Sequence, residues 1–364
     1  MTGTKQGNNS VLLSICIPTY NRAEPLKEAV ESVLAQAAEV RAEELEIIIS
    51  DNASTDETDA VVNKLQKNAK PAIKYYKNEK NVGMDNNCQL LIERACGRYV
   101  WLLGSDDLLA AGSLKSVLRE LAGPDQVDLY LGEKEDFYLT PDRPMRKQKV
   151  MALEKAEVFD FSRKETIDRY FKANKKLIAY CNFISIVIFK RERWLRVKNK
   201  QLFVGTFYLH LYVFQSLLWG SEPGTMKYLP VPLVRRRWGT DGAHEFEQYK
   251  SLPFAEVRLR QDVLIYRQIA AAVFADRKYV RLIDGMVIRN DGFSWAVRTK
   301  IEGGWRFYFV VFPLLWGYYW DQPLFWLKIV PLLFIPNFML RIMRGLYRQT
   351  VKGELLSARE MLGY

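Results

Sequence analysis

The chain reads as an α/β protein built on a mostly parallel sheet, and three observations predict that class. First, three short apolar runs, Leu12 to Ile17, Leu45 to Ser50 and Tyr99 to Leu103, each lead directly into a polar motif. Second, the runs are β-branched or aromatic in character and are separated by helical periodicity, as buried parallel strands with crossover helices are. Third, the polar motifs fall at strand C-termini: Pro18-Thr19-Tyr20-Asn21-Arg22, Asp51-Asn52-Ala53-Ser54-Thr55-Asp56 and Gly104-Ser105-Asp106-Asp107. In an open α/β sheet that edge is where ligands bind.

Each element follows from the local pattern. Behind the first strand, Pro25 suits a first helical turn, and Leu26, Ala29, Val30, Val33 and Leu34 repeat at helical spacing. Behind the second, Asp56 can cap a helix that runs to about Asn68 and stops before Pro71. Ile73 to Tyr76 is a third strand, Asp85 to Ala95 a helix, Tyr99 to Leu103 a fourth strand, Ser113 to Leu121 a helix and Val127 to Leu131 a fifth strand. The β-α repetition requires right-handed crossovers. Residues 132–150 are charged and contain proline, which predicts a surface connection. Beyond it, Ile184 to Phe189 predicts a strand and Val204 to Trp219 a helix. The expected organisation is a disordered N-terminus at 1–10, one domain over 11–240 in two halves (11–131 and 132–240), and a helical C-terminal region over 241–364.

Composition narrows the function. The 364 residues are 49% hydrophobic, enough for a sizeable core, and carry a formal net charge of +11, which implies an acidic partner: nucleic acid, phosphorylated substrate or anionic lipid. Cys16, Cys88, Cys96 and Cys181 show no paired spacing and read as buried thiols in a reducing compartment. The first ten residues are polar and lack the apolar stretch of a secretory signal. From Trp305 to Tyr347 the chain is dense in aromatic residues and leucine, is broken by Pro313, Pro323, Pro331 and Pro336, and closes on Arg341, Arg344 and Arg348. Its longest uncharged run, Phe307 to Trp320, is about 14 residues, below the roughly 20 of a spanning helix. Interfacial helices over about 305–347 are expected, with an aromatic helical core or a dimer interface as the alternative. Aromatics gathered in that one segment, not interleaved with Lys and Arg, disfavour a nucleic-acid stacking platform. The lack of G-x-G-x-x-G behind the first strand disfavours a dinucleotide-dependent oxidoreductase.

The motif set resembles the nucleotide-diphosphosugar-binding half of the family 2 glycosyltransferases, which have a GT-A (Rossmann-like) fold. The residues that carry the likeness are Pro18 to Arg22, Ser50 to Asp56, Asn81-Val82-Gly83 and Leu103-Gly104-Ser105-Asp106-Asp107. It is strong over about 10–130 and weaker over 130–240. The Trp-Leu-Leu-Gly-Ser-Asp-Asp form is most similar to bacterial O-antigen-type sugar transferases, including abequosyltransferase-like ones.

The resemblance implies roles for these positions. Pro18, Thr19 and Tyr20 form a wall against the nucleotide, Asp51 takes the base or ribose, Arg22 approaches the base or phosphates, and Asn81 belongs to the same donor site. Asp107 is the metal ligand, for Mg²⁺ or Mn²⁺, while Asp106 serves the metal, the ribose or the donor sugar and so takes part in catalysis. Ser105 stands where the family pattern more often has an acid. The Glu-Asp pair that commonly holds the catalytic base is missing from Gly205 to His210. His210 is then either a replacement base, since imidazole suits proton abstraction near neutrality, or a core histidine among Leu209, Leu211 and Tyr212. Arg235 and Arg237 either clamp the diphosphate or face lipid headgroups. His244 is a candidate further metal ligand.

These readings converge on a peripheral enzyme at the cytoplasmic face of the inner membrane. It would move a sugar from a nucleotide diphosphosugar to a polyprenyl-diphosphate-linked saccharide of a surface polymer, by metal-assisted inverting displacement. A homo-oligomer is compatible with the apolar terminal segment, and no nucleic-acid partner is expected. The alternatives are a non-catalytic scaffold with the same fold and, less favoured, a basic nucleic-acid-binding protein.

Overall fold

Strands buried on both faces form the centre of the sheet in a computed structural model, which describes residues 11–67, 69–145, 149–174, 176–238 and 253–352. The chain divides into two compact units, Met1–Asp241 and Gly242–Tyr364. In the first, β1 (Leu13–Thr19), β2 (Leu45–Asp51), β3 (Ile73–Lys77) and β4 (Tyr99–Leu102) pair in parallel in the order β3-β2-β1-β4. Every residue of β2 and β4 is buried, which is why both strands read as unbroken apolar runs.

Three crossover helices follow the sequence periodicity. Helix α1 (Ala23–Ala37) buries Leu26, Ala29, Val30, Val33 and Ala37, one stripe at three- and four-residue spacing. Full burial of each Val or Leu in that stripe is worth about 1.5–3 kcal/mol. Helix α2 (Thr58–Gln66) starts where the Asp56 carboxylate accepts the Thr58 N–H at 3.1 Å, and α3 (Met84–Arg94) starts directly after Gly83, whose φ is +83°. Of the four cysteines, Cys16, Cys88 and Cys181 are buried, whereas Cys96 is exposed; all are free thiols.

Beyond β4 the sheet stops being parallel. A two-residue strand β5 (Leu108–Leu109) and helix α4 (Ser113–Ala122) lead to β6 (Leu129–Tyr138). Next come β7 (Glu157–Asp160), α5 (Lys164–Ala173), β8 (Val187–Lys190), α6 (Arg191–Arg196), α7 (Leu209–Trp219) and β9 (Thr225–Trp238). Strand β8 lies antiparallel between β4 and β6; β9 runs parallel to β6 and antiparallel to β5 and β7. The sheet is therefore mixed over its second half, not mostly parallel throughout.

Three expectations change here. Strand β6 runs on through Tyr138, into the stretch expected as a surface connection. Its charges are satisfied inside the fold: Glu133 accepts the Val150 N–H and the Tyr228 hydroxyl, and Lys134 pairs with Asp136. The strand expected from Ile184 begins at Val187, after one 3₁₀ turn. Helix α7 begins at Leu209, not Val204, because Gly205 and Phe207 hold left-handed φ values of +83° and +66°.

In the second unit, helices α8 (Phe254–Leu259), α9 (Ile265–Val273), α10 (Arg277–Val287), α11 (Phe293–Gly303), α12 (Phe312–Tyr319) and α13 (Asn337–Lys352) are interleaved with π-helical turns. Phe307, Val311, Leu315 and Tyr319 form its buried stripe, and the buried Lys300 donates to the Leu332 and Ile335 carbonyls at a helical terminus. Glu256 binds both Arg260 and Arg306. Among the described residues no helix is long and apolar enough to cross a membrane. Residues 1–10 and 239–252 lie outside the described residues.

Candidate active site

The C-terminal edge of β1, β2 and β4 gathers the polar motifs into one site. Thr19 and Asp51 are register partners at the ends of β1 and β2. Asp51 is fully buried; its Oδ1 accepts the Ser54 N–H at 2.8 Å and its Oδ2 the Tyr75 hydroxyl at 2.8 Å. Tyr75 also stands 2.6 Å from Asp59, and burial together with these two carboxylates pushes its phenol pKa up. Asn21, at φ +50°, accepts the Thr55 N–H at 2.8 Å and so ties the first motif to the second. Asn81 accepts from Asn52 Nδ2 at 2.7 Å and from the Gly83 N–H at 2.9 Å, which locks the turn into α3. Among the described residues the buried Thr19 hydroxyl meets no hydrogen-bond partner.

The acidic pair sits in the turn between β4 and β5, and three distant segments hold it. Ser185 Oγ donates to Asp107 Oδ2 at 2.6 Å and itself accepts the Gly104 N–H at 2.9 Å. The Arg237 N–H reaches Asp107 Oδ1 at 3.3 Å because β9 pairs with β5 directly behind the turn. Burial, reinforced by the adjacent Asp106 charge, raises the Asp107 pKa, while Ser185 and the Arg237 N–H oppose the rise. Asp106 is bound by Arg22 at 2.8 Å.

The arginines are not placed as expected. Arg237 does come to the acidic pair, but its guanidinium is committed to the Asp106 carbonyl at 3.1 Å, the Leu139 carbonyl and Glu28. Arg235 donates to the Pro141 carbonyl at 2.6 Å and lies over Phe137. Both therefore brace the turn and the neighbouring hairpin instead of forming an open diphosphate clamp. Arg22 lies at the acidic pair, 2.8 Å from Asp106 Oδ2.

His210 belongs to the core. It is buried, its Nε2 lies 3.0 Å from the Asn182 carbonyl, and burial lowers its pKa to about 4. A neutral imidazole whose Nε2–H is bound to a carbonyl agrees with the second of its two expected readings. His244 lies outside the described residues.

Sequence reasoning missed Ser185, which is 78 residues from Asp107 and reaches it only because β8 lies beside β4. It also missed Asp85, whose buried Oδ2 accepts the Gly205 N–H at 2.8 Å and the Phe207 N–H at 3.0 Å. Burial raises the Asp85 pKa to about 6, against those backbone donors. Asp85 thereby fastens the left-handed loop before α7 to the first turn of α3.

A hard divalent cation takes oxygen ligands. A Cβ at Gly104 would stand 2.8 Å from Asp107 Oδ2 and 3.4 Å from Asp106 Oδ1, so the glycine keeps open a space on which both carboxylates converge. Two carboxylates facing one small space fit such a cation, with its remaining ligands drawn from water or substrate. Among the described residues no group of three His, Cys, Asp or Glu gathers here or elsewhere.

Known proteins agree with this architecture. Residues 14–192 match the family model described as glycosyl transferase family 2. The chain is 32% identical over 232 residues to the abequosyltransferase RfbV of Salmonella typhimurium, covering 64% of this chain and 68% of that protein. It is 36% identical over 109 residues to the GalNAc(5)-diNAcBac-PP-undecaprenol beta-1,3-glucosyltransferase of Campylobacter jejuni, covering 30% of this chain and 34% of that one. In fold it is similar to TarS 1-349 of S. aureus solved with UDP-GlcNAc, at a TM-score of 0.59 and 16% identity over 95% of this chain and 93% of that one.

Proposed function

The chain belongs to glycosyltransferase family 2 and is an enzyme of that family, and from that premise we propose that it transfers a sugar from a nucleotide diphosphosugar to a lipid-linked saccharide. The observation that carries this reading is the Asp106–Asp107 pair at the end of β4. Both acids face the space left by Gly104, with Asp107 held by Ser185 and the Arg237 N–H. The donor class is the one named in the TarS complex; the acceptor class is the polyprenyl-diphosphate carrier named for the Campylobacter relative. A product in a surface polymer of the O-antigen type is the finer part of this reading, and the likeness to the abequosyltransferase RfbV supports it.

Each residue of the edge then has a task. Asp51, held by Ser54 and Tyr75, takes an N–H or hydroxyl of the nucleoside, and the unpartnered Thr19 hydroxyl faces the same ligand. Asp106 and Asp107 would hold Mg²⁺ or Mn²⁺, which when bound neutralises charge on a leaving diphosphate. Arg22 adds positive charge beside Asp106. The acceptor oxygen bonds to the anomeric carbon as the bond to the diphosphate breaks, and the acceptor proton leaves to a base. Asp107 is engaged by Ser185 and the Arg237 N–H and Asp106 by Arg22, so neither is free as a nucleophile, which favours a single inverting displacement over a covalent intermediate.

The second unit supports work at a membrane. Phe309, Leu327 and Phe334 are 77%, 72% and 81% exposed. Trp316 and Trp326 pack at 5.1 Å, and Trp326 donates to the Trp320 carbonyl, which makes an aromatic patch. Between residues 322 and 347 the charges are Lys328, Arg341 and Arg344 with no acid. Aromatic rings in a segment whose charges are all basic match an anionic bilayer interface, on the cytoplasmic side where nucleotide sugars are made.

The test is nucleoside diphosphate release from UDP-, CDP-, GDP- and dTDP-sugars with Mn²⁺ and a polyprenyl-diphosphate saccharide. One donor turned over only with metal and acceptor is the expected result. Release from none of them would refute the reading.

A further inference from the structure

Strands β6 and β9 end on an aromatic pair that the donor site does not use. Tyr138 and Trp238 are register partners there and are 47% and 44% exposed. Alternate residues of a strand share a face, and the contacts say which residues share this one. Lys134 pairs with Asp136; Asp136 accepts Arg236 Nε at 2.9 Å and Nη2 at 3.3 Å; and the Arg236 guanidinium lies 4.2 Å over the Trp238 ring and 5.2 Å over Phe183. The face thus runs from a buried ion network to two open rings.

That combination has the chemistry of a saccharide site. A pyranose presents an apolar C–H face, which lies flat on an aromatic ring, and a rim of hydroxyls that donate to carboxylates and accept from guanidinium groups. The Arg236 guanidinium at the edge of the rings, held in plane by the Asp136 carboxylate, offers its exposed edge to a sugar hydroxyl. The face also borders the reacting centre. Arg237, between Arg236 and Trp238, gives its N–H to Asp107, and Ser185, two residues from Phe183, gives its hydroxyl to the same carboxylate.

We propose that Tyr138 and Trp238, edged by Asp136 and Arg236, form the platform on which the sugar rings of the acceptor stack. The proposal rests on the transferase reading and names the part of that site which takes the acceptor. Strand order decides between the acceptor's sugars and the donor's own. Nucleotide motifs lie on β1 and β2, and the platform lies towards the other end of the sheet on β6 and β9, next to β5 and the acidic pair that precedes it. The donor sugar has to sit between nucleotide and acidic pair, so the far side is left to the acceptor.

The experiment uses the full chain with Trp238→Ala, Tyr138→Ala and Trp238→Phe. The probes are hexose and 6-deoxyhexose di- and trisaccharides carrying an alkyl aglycone. Saturation-transfer NMR reads their binding without any need for turnover, and steady-state kinetics reads KM for acceptor and donor separately. The alanine variants should lose the saturation-transfer signal and raise the acceptor KM about tenfold, the scale of truncating one anchoring aromatic, with the donor KM held. Trp238→Phe should retain most of the wild-type behaviour. Undiminished saccharide binding in both alanine variants, a rise in donor KM alone, or no saccharide binding by wild type would each overturn the platform. Saccharide bound through Trp238 by a protein that releases no nucleotide from any donor would sink the transferase reading and leave the platform standing.

Discussion

Gly104→Ala tests the acidic pair without touching either acid. The φ of Gly104 lies outside the left-handed region, so alanine meets no backbone penalty, only contacts. Its Cβ would stand 2.8 Å from Asp107 Oδ2, 3.3 Å from Ser185 Oγ and 3.4 Å from Asp106 Oδ1. The first of these is closer than a methyl carbon and a carboxylate oxygen can lie, and Asp107 is fixed by Ser185 and the Arg237 N–H. The carboxylate has to move, so overpacking costs about 1–3 kcal/mol and the space facing Asp106 is filled. In wild type, a nucleotide diphosphate with Mn²⁺ at a hundred times Kd adds about 2.7 kcal/mol, or roughly 5–10 °C in Tm for a unit of this size. In Gly104→Ala that metal-dependent shift should vanish while the metal-independent shift persists, because Asp51 and Thr19 are untouched. Thermal denaturation with and without Mn²⁺ reads both. A variant that kept the full metal-dependent shift would show that no cation enters between the two carboxylates.

Asp85→Asn should alter how stability depends on pH. The Asp85 pKa is about 6 in the folded chain against an ordinary 3.8, so the folded state binds the extra proton and its stability falls as pH rises through that interval. Relative to wild type the variant should gain up to about 3 kcal/mol between pH 4 and 7 in urea unfolding, and a flat difference would contradict the burial argument. His210→Phe removes a buried hydrogen bond and should cost about 1–3 kcal/mol, yet leave the pH profile of transfer in place; a lost basic limb would restore the imidazole as the base. Exchanging Phe309, Trp320 and Leu327 for serine should abolish flotation with phosphatidylglycerol vesicles, in wild type a salt-sensitive association. Unchanged flotation, or a concentration-dependent dimer lost in the same variant, would reassign that face to a second copy of the chain.

The first half of the fold was legible because its strands carry their own signal. A strand buried on both faces must be apolar at every position, and β2 and β4 are buried at every residue, so their limits fell within a residue or two. The second half hid its signal in pairings. Strand β9 contains Pro230 and Pro232 and carries three arginines before its last residue, none of which argues locally for a strand. The register against β6 is irregular between Leu131 and Lys134, close to where those prolines fall, and the charges are matched by Asp136 and Glu28, 100 and 209 residues away. Glu133 and Lys134 likewise looked like solvated loop residues until Tyr228 and Asp136 supplied their partners. Partners 95 to 209 residues apart, such as Glu133 and Tyr228, Arg236 and Asp136, or Arg237 and Glu28, leave no periodicity to read.

The same distinction governs the site. The motifs named the polar residues gathered at the strand edge, because small polar residues and acids directly behind an apolar strand have few structural uses in such number. They did not name the residues that meet those residues. Arg237 shows why the two differ. As an arginine near an acidic pair it suggested a phosphate clamp, yet a free clamp needs unengaged N–H groups, and its guanidinium faces the Asp106 carbonyl, the Leu139 carbonyl and Glu28. A buried carboxylate such as Asp107 is costly unless donors reach it, and its turn is only a few residues long. The donors therefore have to come from elsewhere in the chain, and Ser185 from the segment before β8 and the Arg237 backbone from β9 are what the mixed half of the sheet brings to it. The antiparallel strands that broke the expected parallel order are thus the means by which the acidic pair is held in its turn.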